Sequence, residues 1–275
     1  MNEKNRNLFL RVGSAVVLLP GVVFLLVKGG FWSAALIGLA AAVCVGEYYL
    51  ITLRRLSPAA WIGIGAAFAM PIFPAWLPDS AAELALWTTA AIFLIAWISQ
   101  LLTGTLETAV SSAGQLISGF LFGALGLTAL SWLRQGADGL RWVICALIAT
   151  WGNDTAAFFV GRRFGKRKLF AAVSPHKTWE GFAGGLAGSV AGMFVAKGTF
   201  FGELMVSDCL IVGVLTGLVG PIGDLSESML KRTYQVKDSS HIIPGHGGLL
   251  DRIDALIFNA PLVLLYARVL RGLLS

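Results

Sequence analysis

The chain has 275 residues, 56% of them hydrophobic and only 13% charged, with a formal net charge of +6 and a mean hydropathy of +0.77. That balance argues against a soluble globular domain and against a disordered chain, and points to a polytopic helical membrane protein. The three cysteines, Cys44, Cys145 and Cys209, are odd in number, lie in apolar runs and form no C-x-x-C pair, which argues against a disulfide framework and a zinc site.

Apolar runs long enough for a hydrocarbon core of about 30 Å, separated by polar breaks, predict nine spans: 12–27, 31–53, 59–77, 84–102, 113–133, 140–160, 178–196, 204–230 and 255–270. The first follows a basic N-terminal stretch in the manner of a signal peptide, but many spans follow it, so it is expected to be a retained helix. The fold class is therefore all-α, one continuous membrane domain. Residues 1–135 serve as a sparsely charged scaffold and residues 136–275 as the catalytic part.

Orientation follows from the cations. With the N-terminus in the cytoplasm, fifteen of the 21 Lys and Arg fall inside. Only Lys28, Arg134, Arg141, Lys197, Arg268 and Arg271 fall outside, which satisfies the positive-inside rule. Trp76 with Trp87, and Trp132 with Trp142, bracket two outer loops as interfacial anchors would. The basic residues sit in loops beside spans, so topology and anionic lipid headgroups explain them better than nucleic acid does. The same reading is preferred for the run Arg162, Arg163, Lys166, Arg167 and Lys168. Along the seventh span, Gly181, Gly184, Gly185, Gly188 and Gly192 follow one another at short steps, as close helix packing requires, although Gly184 or Gly185 would also make room for a substrate.

Ionisable groups inside such a chain are costly and mark function. Asp154 lies in Gly152-Asn153-Asp154-Thr155, and Asp224 follows Gly220-Pro221-Ile222-Gly223, where proline and glycine are expected to break or kink the eighth span. Asp224, Ser228 and Lys231 recur at helical spacing on one face, as do Asp251 and Asp254. The orientation set by Lys and Arg brings Asp154, Asp224, Asp251 and Asp254 to a similar depth at the cytoplasmic face. Several carboxylates at one depth call for a cation, and oxygen ligands suit Mg²⁺ or Mn²⁺. Lys177, Lys231, Arg232, Lys237 and Arg252 supply the complementary charge for phosphate oxygens. The combination is that of a phosphoryl or nucleotidyl transfer site. Pro244-Gly245-His246-Gly247-Gly248 has the glycines an anion-binding backbone nest needs. Of the histidines, His246 is expected to make a functional contact, and His176 and His241 to be structural.

Ser228, Lys231-Arg232, Lys237-Asp238, Pro244-Gly245-His246-Gly247-Gly248 and Asp251-Arg252-x-Asp254, in this order and spacing, resemble the C-terminal motif of the phosphatidate cytidylyltransferases, also called CDP-diglyceride synthases. Gly152-Asn153-Asp154-Thr155-Ala156 and Ser174-Pro175-His176-Lys177-Thr178-Trp179-Glu180-Gly181 extend the likeness over most of the second half. It departs at His176, where a lysine or another polar residue is expected. The resemblance implies transfer of CMP from CTP to phosphatidic acid, giving CDP-diacylglycerol and pyrophosphate, in phospholipid biosynthesis. It also implies an integral protein of a bacterial-type inner membrane, a divalent metal and a site facing the cytoplasm.

On that basis Asp224 and Asp251 are the expected metal ligands, with Asp154 and Asp254 as further ligands. Lys231, Arg232, Lys237, Arg252 and Lys177 are expected to contact phosphates, and Ser228, His246, Gly247 and Gly248 to complete substrate binding. Glu227 and Asp238 read as salt-bridge partners for Lys231 or Arg232. A second cation and a homodimer are left open. The competing readings are a CTP-dependent lipid or polyprenol kinase, attacking the γ-phosphorus, and an ion-coupled secondary transporter. Transport predicts midplane charges and repeat symmetry, which this chain lacks.

Overall fold

The computed structural model describes residues 13, 16, 19–243 and 247–271. The chain divides into two compact units, one of residues 1–135 with 234–252, the other of residues 136–233 with 253–275.

The first unit opens with helix α1 (Leu19–Lys28) and continues with α2 (Gly30–Leu53). The last carbonyls of α1 have no partner within the helix. Arg134 supplies donors, from Nε to the Leu26 carbonyl at 2.8 Å and from Nη2 to that of Val27 at 3.1 Å. Helix α3 (Pro58–Ala69) starts where proline is best tolerated, with the Ser57 hydroxyl accepting from the Ala60 amide. A 3₁₀ turn, Met70–Ile72, leads into α4 (Phe73–Trp76). Helices α5 (Ala81–Thr103) and α6 (Ala109–Phe120) follow, and a π turn, Leu121–Leu125, joins α6 to α7 (Gly126–Gln135). Tyr49 lies fully buried on α2 and donates its phenol to the Leu116 carbonyl at 2.7 Å. A large ring is thereby accommodated without an orphaned hydroxyl.

The second unit holds α8 (Gly139–Phe164), strands β1 (Lys168–Phe170) and β2 (Ser174–Thr178), α9 (Trp179–Thr199) and α10 (Val206–Thr233). Helix α11 (Leu250–Leu265) follows, with a final π turn Tyr266–Leu270; the second unit takes it from Ile253 onward. The two strands form an antiparallel hairpin, an element that hydropathy does not predict. The glycine-rich face of α9 packs on α8: a Cβ at Gly188 would strike the Gly152 carbonyl, and one at Gly184 would lie 2.5 Å from Val160. Close packing is thus the role of this stripe.

Among the described residues, seven helices are long and apolar enough to cross a membrane: Gly30–Leu53, Pro58–Trp76, Ala81–Thr103, Ala109–Gln135, Gly139–Phe164, Val206–Thr233 and Leu250–Leu270. The expected count of nine is not reproduced there. Of the expected span at 12–27, the helix described is the short Leu19–Lys28, and α9, diluted by glycine, is less apolar than the seven. Helix α10 also runs unbroken through Pro221. Proline cannot donate to the carbonyl four residues back, which is that of Gly217. The Asn153 side-chain amide donates to that carbonyl at 3.2 Å and to the Ser189 hydroxyl at 3.2 Å. The proline therefore leaves a polar gap that a neighbouring helix fills, and the helix does not break.

At one end of the second unit, Arg141 pairs with Asp138 and Glu203, Lys197 donates to the Gly202 and Leu204 carbonyls, and Arg271 reaches the Glu203 carbonyl and the buried Asp208. Asp208 also accepts from the Tyr266 phenol at 2.6 Å and the Met205 amide at 2.8 Å. These three cations, all expected outside, share the end where α8 starts and α9 finishes.

Candidate active site

Where α8 finishes and α9 begins, the second unit encloses a cavity of about 570 Å³, lined by Asp154 of α8, Lys168 of β1, His176 and Lys177 of β2 and Asp224 of α10, together with Arg162. This is a volume typical of small-ligand sites. The hairpin positions Lys177. Its strand ends at Thr178, whose hydroxyl accepts from the Gly181 amide at 3.1 Å and caps α9. Glu180 accepts the Lys166 and Arg167 amides, tying the basic turn to the same helix start.

Lys177 Nζ lies 2.6 Å from Asp224 Oδ2, with the side chains 25% and 35% exposed. The nitrogen of Lys177 is shielded from solvent and has no well-angled hydrogen bond. The contact is therefore an ion pair by distance, and an incoming anion can compete for it. Ser228 Oγ stands 3.5 Å from Asp224 Oδ1, a long contact one turn further on. Asp154 and Asp254 feel the charge of Asp224, and Asp254 that of Asp154; Lys177 acts on both. The Asp254 carbonyl packs where a Cβ at Gly223 would fall. Asp154, Lys177 and Asp224 are thus brought to one cavity, with Asp254 beside it.

The other predicted residues are placed as follows. Lys231 pairs with Glu227 at 2.6 Å, one helical turn back, the partnership expected for Glu227. Arg232 Nε donates to the Val173 carbonyl, in the turn between the two strands, at 3.4 Å. Lys237 and Arg252 are exposed, in the segment that belongs to the first unit. There Asp251 Oδ2 accepts from the Ser239 and Gly248 amides, each at 3.0 Å, with the Ser239 hydroxyl also 3.0 Å away. Gly247 has φ +83°, a backbone state suited to glycine, and its carbonyl accepts from the Ile243 amide at 3.0 Å. His246, with Pro244 and Gly245, lies outside the described residues.

Sequence reasoning undervalues two sets of residues. Arg162, Lys168 and His176 line the cavity, although the first two read as topology signals and the third as structural. Glu47 of α2, only 1% exposed, takes up the hydroxyls and amides of the 239–250 loop. Its signal is an acidic residue within an apolar run of the first half.

Among the described residues no three His, Cys, Asp or Glu side chains converge as a ready-made metal cage. The donor set suits magnesium nonetheless, because Mg²⁺ is usually held by one or two carboxylates together with substrate phosphates, and Asp154 and Asp224 line one cavity.

Fold and site define a polytopic helical membrane protein with paired carboxylates and cations in a cavity. The model described as the cytidylyltransferase family matches residues 9–270, and the chain belongs to that family. Over 146 residues it is 42% identical to a protein of Haemophilus influenzae named phosphatidate cytidylyltransferase, covering 52% of this chain and 51% of that one. A protein of the same name from Bacillus subtilis is 42% identical over 125 residues, 45% of this chain and 46% of that one, and one from Staphylococcus haemolyticus 40% identical over 139, 50% and 54%. The chain spans about half the length of these relatives in each match. The resemblance read in the C-terminal motif agrees with this family.

Proposed function

We propose that the protein transfers CMP from CTP to phosphatidate, yielding CDP-diacylglycerol and pyrophosphate at the cytoplasmic face of the membrane. The observation that carries this reading is the cavity in which Lys177 and Asp224 form an ion pair beside Asp154, Arg162 and Lys168. Acidic groups suit a cation and basic groups suit phosphates, and nucleotidyl transfer needs both. The name carried by the relatives supports the choice of substrates.

In the proposed reaction an oxygen of the phosphatidate headgroup attacks the α-phosphorus of CTP, a new P–O bond forms, the bond to the bridging oxygen of the β-phosphate breaks, and pyrophosphate leaves with that oxygen. A phosphate monoester has a second pKa of about 6, so the attacking oxygen is already anionic at neutral pH and no protein base is required. The work of the side chains is to position two anions that repel one another. Lys177, drawn from its pair with Asp224, neutralises a phosphate, and Arg162 and Lys168 hold another at the mouth of the cavity. Asp224 and Asp154, with Asp254 beside them, would hold Mg²⁺, whose contribution when bound is to withdraw charge from the phosphates. Ser228 steadies Asp224. Arg232, donating to the Val173 carbonyl, is assigned to holding the end of α10 against the hairpin, and Lys231 to its pair with Glu227 along α10.

The test is the purified full chain in liposomes with phosphatidate, Mg²⁺ and CTP labelled at either the α or the γ phosphorus. The reading expects the α label in the lipid phase and pyrophosphate in solution. Transfer of the γ label to lipid, with CDP released, would replace it with a kinase, and absence of both transfers would remove the enzyme reading.

A further inference from the structure

Helix α11 begins with amides that need acceptors, as every helix does. The acceptor here is a side chain distant in sequence. Glu47, in the last third of α2, directs Oε1 to the Ser240 hydroxyl at 2.5 Å and the Leu249 amide at 3.0 Å, and Oε2 to the Ser239 hydroxyl at 3.1 Å and the Leu250 amide at 2.7 Å. All these residues belong to the first unit. The carboxylate is buried, and these four donors replace the water it loses. The positive end of the helix backbone adds to their effect.

The Ser239 hydroxyl lies within hydrogen-bonding distance of both Glu47 and Asp251, and Asp251 Oδ2 also takes the Ser239 and Gly248 amides. Two carboxylates thus share one serine and between them take the amides of Gly248, Leu249 and Leu250. A Cβ at Gly248 would collide with Ser239 Oγ and lie 2.8 Å from both Glu47 oxygens, so only glycine fits at the meeting point. A basic partner for Glu47 would make an ordinary buried ion pair. The four donors that hold its carboxylate are instead neutral, and all come from one loop.

We propose that Glu47 is a positioning residue for the proposed reaction, a latch in the scaffold half of the chain that holds Ser239, Ser240, Leu249 and Leu250 and so fixes the backbone next to Lys237, Gly247 and Arg252, residues assigned from sequence to substrate binding. This rests on the cytidylyl-transfer reading for its kinetic consequence, and on geometry alone for the latch.

The experiment uses the full chain in nanodiscs as wild type, Glu47→Gln and Ser240→Ala. Glu47→Gln keeps the shape but replaces one oxygen with an amide NH₂ that faces other donors, and Ser240→Ala removes one donor while leaving the carboxylate in place. Amide exchange of residues 248–250 is expected to speed up by about tenfold or more in Glu47→Gln, the size of one charge-assisted hydrogen bond. Exchange in α8 and α9 should stay unchanged, and KM for CTP should rise by about tenfold, more than kcat falls. Ser240→Ala should show the same pattern to a smaller degree. Unchanged loop exchange in both variants overturns the latch. Exchange accelerated evenly over the whole chain, with lower kcat and unaltered KM, reduces Glu47 to a general structural role and overturns the positioning. If the wild type transfers no CMP, the functional reading falls, and the exchange data still decide whether the latch exists.

Discussion

A lysine held in an ion pair with a carboxylate inside a cavity is held in reserve. Lys177 and Asp224 form a partly exposed pair inside a cavity, and their value lies in what each can do for an anion or a cation. Asp224→Asn is expected to lower kcat by about a hundredfold or more while the thermal midpoint of the detergent-solubilised protein stays near that of wild type. Ordinary turnover in that variant would remove Asp224 from the site. Lys177→Met should raise KM for CTP by about tenfold, and Lys177→Arg should restore part of the loss, a comparison made by steady-state kinetics at saturating phosphatidate. At this scale the sequence is most legible where charge is anomalous in an oily chain. Asp154, Lys177 and Asp224 stand out for that reason and do line one cavity. Glu47 carries the same signal but is the one acidic residue inside an expected span of the first half, and its partners are backbone amides and serines that no charge pattern announces.

Among the elements, α8 and α9 test how glycine is used. Gly188 brings two backbones together, because its missing Cβ would occupy the place of the Gly152 carbonyl, whereas Gly198, near the end of the same helix, has open space around it. Gly188→Ala is expected to destabilise the protein by about 1–3 kcal/mol through overpacking. Gly198→Ala should be neutral or stabilise by up to about 1 kcal/mol, since alanine is the better helix former. Thermal denaturation of the two variants decides, and equal shifts would contradict the close approach. Helices are legible from hydropathy because a span must satisfy its own backbone and present apolar side chains over its length. The hairpin of β1 and β2 is not: its strands have three and five residues, one contains Pro175, and neither shows an alternation strong enough to compete with the run of cations beside it. Pro221 reads as a break in the sequence, and what restores the helix is Asn153, far earlier in the chain and on a different helix.

For the whole molecule, the orientation expected from the cations has a direct check. Lys168 lines the cavity, while Glu203 lies with Arg141 and Arg271 at the end where α8 starts. The native cysteines, Cys44, Cys145 and Cys209, are buried, so single added cysteines report cleanly. In sealed inner-membrane vesicles of known sidedness, Lys168→Cys should be modified by an impermeant thiol reagent from the cytoplasmic side and Glu203→Cys from the opposite one. Labelling of both from one side would overturn the orientation. The bond from Asn153 to Gly217 bears on how such a molecule is built. Helix α8 precedes α10 in the chain, and each brings into the bilayer a polar group that lipid cannot satisfy, an amide on one and a bare carbonyl on the other. Neither is at rest until the two helices meet. Their docking is then selected by a mutual need rather than by greasiness alone, and wrong neighbours during biogenesis are left with an unfilled polar hole.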